Sequence, residues 1–132
     1  MLRLLPVFLL LLLSACTKNE ECVGSDCQEF HPIHLRIENV TNQDFTYVEI
    51  GGGNQANYPA LNAGDTSDYQ YRPEGGYRYN YVKVKTAAND SFIIQPFDFV
   101  GETPLDEGYY TYRLYYHIVQ NDTILRLDFQ VD

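Results

Sequence analysis

Tyr109-Tyr110-Thr111-Tyr112-Arg113-Leu114-Tyr115-Tyr116-His117-Ile118-Val119 runs through Gln120-Asn121-Asp122 into Thr123-Ile124-Leu125-Arg126-Leu127-Asp128-Phe129-Gln130-Val131. In the first segment Tyr110, Tyr112, Leu114, Tyr116 and Ile118 occupy every second position, between residues able to face water. In the last, Leu125, Leu127, Phe129 and Val131 do the same. A period of two sends alternate side chains to opposite faces of an extended chain, so each segment predicts a strand with one buried face. The short polar join predicts a hairpin. The fold class follows from this pair: a sheet packed on one side.

The same period recurs upstream. Ile33-His34-Leu35-Arg36-Ile37-Glu38 alternates strictly, with Ile33, Leu35 and Ile37 inward. Asn39 to Asp44 is rich in turn residues. Phe45 to Ile50 then places Val48 and Ile50 on one face, with Phe45 out of phase as across a β-bulge. Tyr58 to Leu61 reads as a short strand broken by Pro59, and Thr66 to Arg72 as one with Ser67, Tyr69 and Tyr71 on a common face. Pro73-Glu74-Gly75-Gly76 signals a turn.

Tyr77 to Thr86 predicts a strand whose halves disagree in phase, Tyr77 and Tyr79 against Val82 and Val84. Either a bulge near Asn80 and Tyr81 corrects the register, or Tyr77, Tyr79 and Tyr81 form an outward aromatic stripe. Phe92 to Val100 predicts an apolar strand that Pro96 confines to an edge or a bend. Seven or eight strands, with turns roughly every eight to twelve residues, predict an all-β antiparallel β-sandwich over residues 32–132.

Asp106-Glu107-Gly108-Tyr109-Tyr110-Thr111-Tyr112 resembles the tyrosine-corner approach of immunoglobulin-like domains, with Tyr110 as the corner residue. The resemblance implies that its hydroxyl bonds a backbone group a few residues upstream. Tyr112 stands where that family has cysteine, and no Trp is present, so no inter-sheet disulfide is implied. A transthyretin-like sandwich fits the same strand count and is the alternative frame.

The chain opens with Met1-Leu2-Arg3 and an apolar run to Leu13, followed by Ser14-Ala15-Cys16. One positive charge, an apolar stretch and small residues make an export signal with a processing site. Leu4 to Leu13 would cover only about 15 Å as a helix, against a hydrocarbon core of about 30 Å, so a spanning helix is not expected. Leu13-Ser14-Ala15-Cys16 resembles the lipobox of bacterial lipoproteins, which implies cleavage before Cys16 and acylation of that cysteine. Residues 1–15 are then the signal, and residues 16–31 a lipidated cysteine with a polar tether. Thr17 after the cysteine and the acidic Lys18-Asn19-Glu20-Glu21 resemble signals for the outer membrane and its outer face.

Removing the signal takes away Arg3, so the formal charge goes from −9 to −10. An acidic surface repels phosphate backbones, and no nucleic-acid partner is expected. Twelve tyrosines with one Met and no Trp suit half-buried pleated surfaces. With Cys16 acylated, Cys22 and Cys27 remain as an even pair in an oxidising compartment, where a local disulfide is expected and free thiols are the alternative.

Residues that could carry chemistry are sparse. His31 and His34 point to opposite faces if the chain is extended, His117 lies outward on the penultimate strand, and Asp65 and Asp68 lack the loop of a calcium site. Gly51-Gly52-Gly53 has neither the spacing nor the following Lys of a phosphate loop. No nucleophile motif occurs. No metal, cofactor or enzymatic activity is expected.

Tyr77, Tyr79, Tyr81, Tyr109 and Tyr115, with Lys83, Arg113 and His117 among them, are the candidate ligand surface; packing under loops and across strands is their other reading. The expected function is a lipid-anchored, non-catalytic module of the outer membrane or cell surface that binds a protein partner. Glycan binding through exposed tyrosines is the second reading, and a small hydrolase the third. A planar exposed row of tyrosines beside a groove would favour glycans, and an apolar patch of several hundred Å² a protein.

Overall fold

The computed structural model describes residues 28–132; the expected signal, Cys16, Cys22, Cys27 and most of the expected tether lie outside the described residues. Seven strands follow in chain order: β1 Ile33–Asn39, β2 Phe45–Ile50, β3 Gln70–Arg72, β4 Val82–Thr86, β5 Ser91–Ile94, β6 Gly108–Val119 and β7 Asp122–Val131. They form two sheets, β3-β1-β6-β7 and β2-β4-β5. The architecture is an all-β sandwich. Ile33, Leu35, Ile37, Tyr112 and Leu114 of the larger sheet meet Phe45, Val48, Ile50, Val82 and Val84 of the smaller in one buried core.

Alternation places these residues. In β1 every odd position is buried and every even one partly exposed. In β2 the register shifts between Phe45 and Tyr47, so Phe45 joins the core with Val48 and Ile50. Gln120 and Asn121 both have positive φ, 49° and 70°, between the paired Val119 and Asp122, as a two-residue type I′ hairpin requires. Ile118 and Val131 depart from their inward expectation and are exposed, because they lie at the two ends of β6–β7, beyond the cover of the smaller sheet.

Several expected strands contract. Tyr77 to Tyr81 is loop, and only Val82–Thr86 is strand, which removes the phase conflict within Tyr77–Thr86. The strand expected over Phe92–Val100 ends at Ile94, ahead of Pro96, on the edge of the smaller sheet. Tyr58 and Leu61 form isolated bridges to Val48 and Phe45, and Thr66 bridges Glu38 ahead of the short β3.

Strand order is where the immunoglobulin frame needs correction. In that frame the first strand belongs to an ABED sheet facing CFG. Here β1 lies between β3 and β6, and its pairing with β6 is parallel, from Ile33 opposite Gly108 to Asn39 opposite Leu114. At the end of β1 the chain leaves for the other sheet through a tightly bonded crossover. Asn39, wholly buried, donates through its amide to the carbonyls of Gln43 (2.8 Å) and Leu61 (3.2 Å). Its oxygen accepts from the N–H (3.0 Å) and hydroxyl (2.6 Å) of Thr41. An asparagine with all four of these bonds made pins the crossover to β2 of the second sheet, while β3 and β6 take the two edges of β1.

Tyrosine hydroxyls tie the layers together. Tyr58, beside the smaller sheet, donates to the carbonyl of Leu35 in β1 at 3.0 Å. Tyr112 of β6 donates to the carbonyl of Tyr77 at 2.6 Å. Burial raises the pKa of both phenols, which keeps them as donors.

Candidate functional site

The outer face of the larger sheet carries the even positions of β1 and the odd positions of β6. His34 lies opposite Tyr71 on one side and opposite Tyr109 on the other. Three aromatic side chains therefore stand in one row across three strands. The rings of His34 and Tyr109 stack at 4.5 Å and 10°, and Tyr71 lies 5.4 Å from His34. Tyr69 meets Tyr109 edge-on at 5.0 Å, and the Arg36 guanidinium sits 4.6 Å over the Tyr69 ring. Tyr71 is 60% exposed and Tyr109 50%.

Polar groups at the β7 side lock this cluster. Arg36 donates to the Thr111 hydroxyl at 2.9 Å and approaches the Asp132 carboxylate at 3.4 Å. Tyr69 donates to Asp132 at 2.8 Å, and Thr111 donates to the same carboxylate. Burial by itself would raise the Asp132 carboxyl, but the hydrogen bonds from Thr111 and Tyr69 and the Arg36 charge together hold it below its ordinary value. For Tyr69, burial and the bond to Asp132 act together and push the phenol up. Further along the face Arg113 pairs with Glu38 at 2.7 Å and Asp128 at 3.8 Å.

The five candidate tyrosines do not make one surface. Tyr109 joins the row just described. Tyr115 is on the same face but beyond Thr111 and Arg113, opposite Arg126. Tyr77 and Tyr79 stack on Phe99, at 4.5 and 5.2 Å, beneath the loop between β5 and β6. Burial, followed by the Glu102 carboxylate, raises the Tyr79 phenol. Tyr81 lies at the glycine loop after β2, its carbonyl accepting the Gly51 N–H at 2.8 Å. The outward stripe Tyr77-Tyr79-Tyr81 is thus corrected: in the loop Tyr77 and Tyr79 converge on Phe99, while Tyr81 lies apart from them at the glycine loop.

His34, Arg36, Tyr69 and Tyr71 are the cluster members that sequence reasoning passed over. Each was legible as outward or as sharing a face, but their neighbours come from strands far apart in sequence.

Two clefts open where β1 begins. One, of about 420 Å³, is lined in part by Arg78, Asp106, Tyr110 and Phe129; the other, of about 350 Å³, by Gln28, Glu29, His31 and Glu102. His117 is exposed on the outer face. Among the described residues no three His, Cys, Asp or Glu side chains gather as metal ligands. No protein-family model, curated protein or solved structure matches the chain.

Proposed function

We propose that the protein is a lipid-anchored, non-catalytic module of the bacterial outer membrane or cell surface, and that it binds another envelope protein through the outer face of its larger sheet. The observation that carries this reading is the exposed Tyr71-His34-Tyr109 row with Tyr69 and Arg36 beside it. Tyrosine and arginine supply much of the binding energy at protein interfaces, from rigid clusters that lose little entropy on contact. The His34 ring lies between its two neighbours, so the row offers ring edges, hydroxyls and a guanidinium. Such a surface suits a protein partner better than the flat face of a sugar.

Anchoring is supported by Leu13-Ser14-Ala15-Cys16 and by the tether behind it. Twelve residues from Cys16 to Gln28 reach at most about 43 Å when extended, enough to hold the sandwich close to a bilayer. A photo-reactive residue in place of the exposed Gln130, opposite Thr111 on the same face, in the full chain and in the cells that make it, tests the function. A defined envelope protein captured there, and lost on Tyr109→Ala, is the expected result. No captured protein, together with retention on immobilised polysaccharide, overturns it in favour of glycans.

A further inference from the structure

The loop between β5 and β6 presents its apolar side chains outward. Phe97 is fully exposed and Val100 88% exposed, while Phe99 between them turns inward to stack on Tyr77 and Tyr79. The loop is held in place. The Glu102 N–H donates to the Phe99 carbonyl at 3.0 Å, and Gly101, with φ of +79°, takes the turn position that a side chain would strain. With the turn tied, Phe97 and Val100 stand outward as an exposed apolar pair, the kind of feature that marks a contact surface.

What covers them follows from where the chain enters. Gln28, the first described residue, donates through its side-chain amide to the Glu102 carbonyl at 2.8 Å and accepts from the Tyr77 hydroxyl at 2.8 Å. The tether thus arrives at this loop, at the end of the sandwich opposite the Gln120-Asn121 hairpin. We propose that Phe97 and Val100 insert into the lipid surface to which Cys16 tethers the chain, making this loop a second membrane contact. The inference rests on the lipid-anchor reading. Tyr77 and Tyr79, amphipathic rings beneath the tip, match the residue type that settles at the head-group level. Asp98 and Glu102 flank the tip, so zwitterionic lipid is the surface it suits. Docking would hold the domain upright, with the Tyr71-His34-Tyr109 row near the bilayer and the hairpin far from it.

The chain has no Trp, so a single one reports its own surroundings. Phe97→Trp, in the full chain purified from its cells and added to phosphatidylcholine vesicles, should shift its emission to shorter wavelength and be quenched by brominated lipid. Ile118→Trp, exposed at the opposite end, should do neither. Flotation with the vesicles and the mass of Cys16 report the anchor separately. An acylated, floating Phe97→Trp variant with unshifted emission overturns the loop contact alone. A shift without acylation upholds the loop contact and overturns the anchor, and a chain with neither overturns both. An equal shift at both positions also overturns the loop contact.

Discussion

The hydroxyl of Tyr110 donates a 2.9 Å hydrogen bond to the backbone carbonyl of Asp106, four residues upstream, and its ring closes over Gly108. A Cβ at position 108 would stand 3.1 Å from that hydroxyl, so the pairing of Gly108 with Tyr110 is steric as well as polar. The bond ties the approach to β6 onto its own first turn of strand. Tyr110→Phe should cost about 1 kcal/mol, a fall in Tm of about 4–8 °C for a domain of this size. Gly108→Ala should weaken the same bond by displacing the ring. An unchanged melting temperature in both variants would remove the corner from the account of stability.

Asn39 is the buried polar residue on which the crossover between sheets depends. In Asn39→Leu the buried N–H of Thr41 loses its acceptor, and the carbonyls of Gln43 and Leu61 each lose one of two donors, keeping the Thr41 hydroxyl (3.1 Å) and the Phe45 N–H (2.9 Å). The expected loss is about 3 kcal/mol, read as a lower urea midpoint at unchanged slope.

Asp132 sets an acid dependence. Its folded pKa lies below the unfolded one, so its stabilisation is complete above the ordinary carboxylate range and fades as pH falls through the lowered value. The difference in Tm between the parent and Asp132→Asn should be largest near neutral pH and close as pH falls through the lowered carboxyl value. A difference that grows on acidification would contradict the Tyr69-Thr111-Arg36 cluster around that carboxylate.

Tyr71 separates binding from folding. Because it is largely exposed, Tyr71→Ala should change stability by no more than about 0.5 kcal/mol, yet weaken partner capture by about 2 kcal/mol, roughly 30-fold. Circular dichroism melts and cross-linking yield, measured on the same variant, check both halves.

Cys16→Ala should abolish acylation and release the protein from the membrane fraction. Continued incorporation of labelled palmitate would refute the lipobox reading.

Inward and outward positions of β1, β6 and β7 were legible from residue order alone, except at Ile118 and Val131, whose exposure at the strand ends alternation does not record. Side-chain direction in a strand alternates whatever the strand pairs with, so Ile33, Leu35, Ile37, Tyr112 and Leu114 had to share a buried face. The out-of-phase Phe45 marked its bulge for the same reason. Tyr77 to Tyr81 misled because aromatic, β-prone residues suit a loop equally well when Phe99 covers two of the rings.

Pairing was decided elsewhere. Backbone N–H and C=O groups are the same at every residue, so alternation carries no record of which strand lies beside which. The chain crosses at Asn39 to place β2 in the other sheet, and β6 lies beside β1 in parallel register. That register sets Tyr109, outward on one strand, against His34, outward on another 75 residues away, with Tyr71 completing the row. The fold class and the lipobox-like stretch Leu13-Ser14-Ala15-Cys16 belong to the chain as written, because both rest on near neighbours. The aromatic row and the apolar loop tip beside the tether exist only once distant segments are packed, because both depend on contacts that only the tertiary fold brings together.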